Sequence, residues 1–195
     1  MLVLLVSDQT ARKLLEKEKK LTQTTDDNGW SPLHYAVYYG WSPRAVEVLL
    51  EYDASAAYIA ETEKKRTALH IAAIQGRVKA MKEILSGCPA CCELVDNRGW
   101  NALHYAVASK DTKVFEECLR IPELARLGTK KDDKGNTPFH LIAALAREQM
   151  QWERVLFNDS YGYTKWPIYG LNKRKRSVKD IHFGDLAEIK VINPL

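Results

Sequence analysis

The chain has no apolar run long enough to cross a membrane. A spanning helix needs about 20 such residues, and the opening MLVLLV supplies six before Ser7. That opening also lacks a basic leader and a small-residue A-x-A cleavage site, so the chain reads as neither secreted nor membrane-spanning. Cysteine is scarce: Cys88, Cys91, Cys92 and Cys118 are all there is among 195 residues. Without an export signal the expected compartment is the reducing cytoplasm, where thiols stay free and no disulfide framework forms. A large excess of charge is missing as well. Lys and Arg number 29 against 25 Asp and Glu, a net +4, which serves solubility rather than a nucleic-acid surface. Nor is there a G-x-x-x-x-G-K-[ST], G-x-S-x-G or H-E-x-x-H motif. The acid pairs Asp26-Asp27 and Asp132-Asp133 fall on turn sequences with no base partner. These absences predict a protein that is not an enzyme, with no catalytic residues, no metal and no cofactor.

What the chain does have is a 46% hydrophobic share, enough for a core, and a repeated sentence. GWSPLHYAV at 29–37 returns as GWNALHYAV at 99–107, with KRTALHIAA at 65–73 and GNTPFHLIA at 135–143 as relatives. The four histidines fall at 34, 70, 104 and 140, at intervals of 36, 34 and 36. A fixed period of this size is the mark of stacked supersecondary units.

Each copy opens with a helix-start signal. Ser31, Thr67, Asn101 and Thr137 are N-cap residues, and Pro32 and Pro138 occupy the first helical position, where a missing N–H costs nothing. Leu33, Leu69, Leu103 and Phe139 then point inward. Ala36, Ala72 and Ala106 follow on the same face and admit a close neighbour. Ile142 replaces alanine in the fourth copy, which predicts a looser or shifted junction there.

A second helix follows in each unit, with apolar pairs in register: Ala45-Val46 and Leu49-Leu50, Ala80-Met81 and Ile84-Leu85, Val114-Phe115 and Cys118-Leu119. Between units stand DDNGW, TEKKR, DNRGW and DDKGN, turn sequences expected to project and to stay out of the core. Near the start, Leu14 and Leu15 match Leu49 and Leu50 with no first helix before them, so the array is expected to begin mid-unit. Residues 144–195 are expected to form a long second helix around Trp152, Val155 and Leu156, an irregular loop NDSYGYTKWPIYG, and a degenerate fifth unit. In that unit Ser177-Val178-Lys179-Asp180-Ile181 stands where T-P-L-H-x should, with Lys179 in an apolar place and Asp180 in the place of histidine.

The pattern D-x-x-G-x-[TS]-P-L-H-x-A, followed by a V-V-x-x-L-L helix, resembles the ankyrin repeat over about residues 7 to 182. The resemblance implies an all-α solenoid of stacked helix hairpins with projecting β-turn fingers. It would comprise a truncated half-repeat (1–25), four repeats (26–61, 62–95, 96–131 and 132–171) and a degenerate C-terminal unit (172–195). It also implies a scaffold that binds other proteins through its fingers and concave side. More narrowly, the long tails EYDASAAYIAETEKKRTALHIAA, SGCPACCELVDNRGWNALHYAV and LNKRKRSVKDI resemble the plant ankyrin proteins of the accelerated-cell-death type. In that family the array precedes a membrane-spanning domain and is linked to defence and stress signalling. That likeness implies a cytoplasmic location, at the cytoplasmic face of a membrane, although no membrane domain follows in this chain.

The candidate residues divide by chemistry. His34, His70, His104 and His140 cannot share a metal, because packed helices lie about 8–10 Å apart and zinc holds nitrogens at about 2.0–2.1 Å. Their expected work is structural, each imidazole tying turn backbone or a capping hydroxyl to its helix, and the resemblance implies the same. Cys88, Cys91 and Cys92 form C-x-x-C within CPACC, the basis of an alternative reading as a thiol redox or metal-binding protein. The second half-site is absent, however, and Cys91 and Cys118 align with small or apolar core positions. KRKR at 173–176 falls on the fifth turn tip and reads as solvated charge; a third reading, nucleic-acid binding through such basic runs, is not adopted. Trp30 and Trp100 stand just before the cap, where folding demands no aromatic ring, and are expected to be exposed anchors. The other expectation for them is packing over a neighbouring finger or tail. With Tyr38, Tyr39, Ile74 and Gln75 on the inward face, and Arg66 and Asn136 on the fingers, they make the expected partner-binding surface. The apolar start MLVLLV adds an expectation of self-association.

Overall fold

A computed structural model describes residues 8–157 and 170–184. The contacts divide the chain into two compact units, one ending at Asn97 and the other beginning at Arg98.

In the first unit, α1 (Asp8–Lys17) is followed by α2 (Pro32–Tyr39), α3 (Pro43–Tyr52), α4 (Ala68–Ile74) and α5 (Val78–Gly87). Helix α1 packs on α3, α2 on α4 and α3 on α5, so first helices pair with first and second with second. Leu15 is fully buried and Leu14 half-buried, and Arg12 pairs with Glu51 across α1 and α3 at 2.5 Å. The N-terminal helix thus holds the place of a second helix, as its leucines indicate.

In the second unit, α6 (Ala102–Ala108), α7 (Thr112–Leu119), the single turn α8 (Pro122–Ala125), α9 (Pro138–Ala146), α10 (Met150–Phe157) and α11 (Val178–Phe183) follow the same plan. Phe115 is its hub, edge-on to Phe139 at 5.8 Å and to Trp152 at 6.0 Å between ring centres. In the fourth repeat a turn through Arg147–Gln149 separates α9 from α10, so the second helix starts at Met150 rather than running on from residue 144. Ile142 is as fully buried as Ala36, Ala72 and Ala106, and the Arg147 guanidinium donates to the Ile181 carbonyl at 3.2 Å, joining α9 to α11.

The helix starts fall where the caps place them. In all four copies the N-cap side chain and the histidine three residues on form a reciprocal capping box. The fifth copy keeps it with Ser177 and Asp180, whose Oδ2 accepts the Ser177 N–H at 2.8 Å and hydroxyl at 2.7 Å. Asp180 therefore does the near half of the histidine's work without its second nitrogen. Of the second-helix stripes, Val46, Leu49, Leu50, Ala80, Met81, Ile84, Leu85, Val114, Phe115 and Cys118 are buried, while Ala45 and Leu119 are only half so. The long tails are not featureless. Short 3-10 turns at Lys19–Gln23, Ala54–Tyr58, Pro89–Glu93 and Arg126–Thr129 carry the chain from second helix to finger. Most of the loop NDSYGYTKWPIYG, and the opening MLVLLV with the self-association expected of it, lie outside the described residues.

Candidate protein-docking surface

The fingers are built from one hydrogen-bond plan. Asp26 donates its N–H to the Trp30 carbonyl and accepts that of Gly29, while its Oδ1 takes the N–H groups of Asn28 and Trp30 at 3.0 and 2.8 Å. Asp132 does the same for Lys134 and Asn136, and Asn172 for Arg174 and Arg176. Such a residue is held inward by its work. Asp96 and Asp132, which open DNRGW and DDKGN, are buried, as is Glu61 just before TEKKR, while Asp26 is half-buried; this corrects, for those two turns, the expectation that the turn sequences stay out of the core. Successive fingers are stitched tip to tip. Thr62 N–H donates to the Asn28 carbonyl, Asn97 to Lys64, Asp133 to Arg98 and Lys173 to Lys134, at 2.9 to 3.0 Å. The run KRKR lies on the last of these tips with all four side chains exposed.

The motif histidines clamp each finger to its helix and to the chain that follows. Carbonyl oxygens only accept, so each Nε2 carries the proton. It donates to Arg66 O from His34, Leu94 O from His70, Asn136 O from His104 and Gly170 O from His140, at 3.0 to 3.2 Å. Nδ1 accepts the N-cap backbone N–H in every copy, and the hydroxyl of Ser31, Thr67 or Thr137 in three. In the third copy Asn101 Oδ1 instead accepts the N–H groups of Leu103 and His104. Burial holds His34 and His140 below the ordinary imidazole range, which keeps both neutral and fit for this double role.

The two tryptophans part company. Trp100 is 7% exposed, its indole N–H donates to Asp132 Oδ2 at 3.1 Å, and the Arg98 guanidinium covers its ring at 4.1 Å. It is no exposed anchor; it lies on the neighbouring finger, the other of its two expected positions. Both rings also serve folding, since Trp30 packs on Tyr35 and Trp100 on Tyr105, the contact that staples the residue before an N-cap to the helix's first turn. Trp30 remains half-buried and belongs to something larger. Its ring lies 5.3 Å from Tyr38, which meets Tyr39 at 5.2 Å, which stacks on Trp41 at 6.4 Å. Tyr38 and Tyr39 are 42% and 62% exposed. Tyr35 and Trp41 escaped the sequence reading, although five aromatic rings within 12 residues, 30–41, were there to be counted.

Ile74, half-buried, and Gln75, exposed, occupy on α4 the helix-end position that Tyr38 and Tyr39 hold on α2. The finger residues are less available. Arg66 Nε pairs with Glu61 at 3.1 Å, and Asn136 accepts from Asn172 Nδ2 at 2.8 Å, so both are engaged within the stack. Trp100, Arg66 and Asn136 are therefore withdrawn from the free docking surface. In the second unit a shallow concavity lies among Trp100, Val107, Ala108, Leu141, Leu145 and Gln149.

All four thiols are buried. Burial pushes the Cys91 thiol well up, helped by neighbouring Cys88, the reverse of the thiolate activation that redox or metal-binding cysteines need. Among the described residues no His, Cys, Asp and Glu side chains gather into a metal-binding group, and no helix is long and apolar enough to cross a membrane.

Two models of ankyrin repeats match the chain, one over residues 7–50 and one over 56–121. An ankyrin repeat domain-containing protein, SAT10, of Stachybotrys chartarum is 32% identical over 92% of this chain, which spans 9% of that relative. Ankyrin repeat and SOCS box protein 3 of Homo sapiens is 29% identical over 68% of the chain, and the nuclear factor NF-kappa-B p105 subunit of Gallus gallus 24% over 67%. The chain covers 31% and 14% of those two, so it corresponds to a minor part of each relative's length. Helix pairs repeating at the period of their capping histidines, and family models that together match more than half of the residues, lead to one conclusion: the chain belongs to the ankyrin-repeat proteins, whose all-α solenoids are scaffolds for protein–protein interaction.

Proposed function

We propose that a partner protein docks on the aromatic surface of the first complete repeat, formed by Trp30, Tyr38, Tyr39 and Trp41 and extended by Ile74 and Gln75 at the equivalent end of α4. The observation that carries this reading is the exposure of Tyr38 and Tyr39 within a connected set of rings. Large aromatic side chains are the favoured anchors of interfaces, and these two contribute little to the core they leave. The division into a half-repeat, four repeats and a degenerate fifth unit is part of the same reading. We further propose that the setting is defence or stress signalling at the cytoplasmic face of a membrane. Support for that comes from the likeness of the inter-helix tails to plant ankyrin proteins of the accelerated-cell-death type.

The experiment is a capture from source tissue by immobilised wild type beside Tyr38→Ser/Tyr39→Ser. Loss of specifically retained proteins in the double variant, with its circular dichroism unchanged, is the expected result. Identical catches would remove this surface from consideration.

A further inference from the structure

The first and third repeats write closely similar fingers and helix starts, DNGWSPLHY at 27–35 and NRGWNALHY at 97–105, which agree at five of nine positions; among the four differences is the residue before the finger glycine, Asn28 against Arg98. The two backbones do equivalent work there. The Asn28 carbonyl accepts the Thr62 N–H at 2.9 Å and the Arg98 carbonyl the Asp133 N–H at 3.0 Å. The ring pairs behind them match too, Trp30–Tyr35 at 5.2 Å and 59° against Trp100–Tyr105 at 5.5 Å and 74°.

What stands over the rings differs. In the third repeat the Arg98 guanidinium lies 4.1 Å above Trp100 and 5.8 Å from the Tyr105 ring, and its Nη2 donates to the Tyr105 hydroxyl at 3.0 Å. In the first repeat the exposed Asn28 side chain carries no charge, and no described Lys or Arg covers Trp30 or Tyr35. The Tyr35 hydroxyl donates instead to Asp26 Oδ2 at 2.6 Å. That bond, joined by backbone N–H groups at Oδ1, holds the Asp26 carboxyl below the usual carboxylate range and therefore charged. The Arg77 guanidinium lies against Gly40, at the far end of the aromatic surface, and over none of its rings. The first finger is also the one described finger whose turn sequence, DDNGW, contains acids and no base.

We infer that the position filled by Arg98 in the third repeat is open in the first, and that it receives an arginine side chain from the docked partner, stacked on Trp30 beside the Asp26 carboxylate. This rests on the docking surface proposed above and names the chemistry of its occupant. Arginine suits the place better than lysine, because a planar, weakly hydrated guanidinium stacks on an aromatic face and still donates in its own plane.

The test is an NMR titration of the 15N-labelled full chain with the peptide acetyl-Gly-Ser-Arg-Ser-Gly-amide and with its lysine and citrulline counterparts. The Trp30 indole N–H, assigned from Trp30→Phe, is expected to shift with the arginine peptide, less with the lysine one and not with the neutral citrulline one. Asn28→Arg, which copies the third repeat, should abolish the shift by filling the position internally. Equal responses to arginine and citrulline, no response at millimolar peptide, or a shift that survives Asn28→Arg would each overturn the inference. The two readings fail separately. If Asn28→Arg captures the same proteins as wild type while Tyr38→Ser/Tyr39→Ser does not, the docking surface stands and the arginine falls.

Discussion

Truncating Trp100 removes an indole that is packed under Arg98 and bonded to the next finger through Asp132. Loss of a buried Trp typically costs about 3–5 kcal/mol, because the cavity refills only in part. Trp30, half-buried and with no corresponding bond to the next finger, gives up less apolar burial on truncation, on the order of 1–2 kcal/mol. Urea unfolding of Trp100→Ala and Trp30→Ala should therefore rank the first well below the second, and partner capture should show the opposite order. Equal stability losses would mean that the two rings do the same work. The near half of the motif histidines' work was legible because it is local, an N-cap three residues before an imidazole repeated at a fixed period, whereas their Nε2 bonds reach carbonyls 24 to 32 residues on. The division between the tryptophans was not, since it depends on a carboxylate 32 residues away and on one side chain, Arg98, whose counterpart is Asn28.

The turns show how far the elements tolerate departures from their own pattern. Gly29, Gly99 and Gly135 hold the finger position at φ of 77° to 78°, and Gly40 and Gly76 hold the turn between paired helices at 66°. Lysines stand at the same kinds of position elsewhere: Lys65 and Lys175 in fingers at φ 60° and 58°, and Lys110 between α6 and α7 at 61°. A left-handed residue with a Cβ is disfavoured by about 1–2 kcal/mol, and glycine returns about 0.5–1 of this through its unfolded-state entropy. Lys65→Gly and Lys110→Gly should each gain roughly 0.5–1 kcal/mol by difference, seen as a higher thermal midpoint; a lower one would show that the lysine side chains hold these turns. The reverse change is worse, because a Cβ on Gly29 would stand 2.9 Å from the Thr62 nitrogen as well as at positive φ. First helices, caps and most buried stripes were readable from period and residue type alone. The start of the fourth repeat's second helix was not, since Arg147, Glu148 and Gln149, which form the turn before Met150, include no Gly, Pro or Asn to mark it.

At the scale of the whole molecule the histidines make folding sensitive to mild acid. A solenoid has no single centre, so its stability approximates a sum over units and their junctions, and His34 and His140 place one such junction in each of the two compact units. Burial is the leading cause that lowers both from the ordinary 6.5. A histidine with a depressed folded value binds protons more readily unfolded, so its contribution is present above about pH 6.5 and drains away as pH falls from there toward the folded value. The carboxylates Asp26 and Glu61, also lowered from 3.8 and 4.5, lose their contribution only below those values as pH falls through their folded pKa. Between pH 7 and 5 the imidazoles therefore set the slope, and the urea midpoint should decline over that interval. NMR titration of the imidazole C–H signals gives an independent reading: His34 and His140 should protonate below 6.5, and values at or above it would show that their Nε2 bonds to Arg66 and Gly170 favour the charged ring by more than burial opposes it.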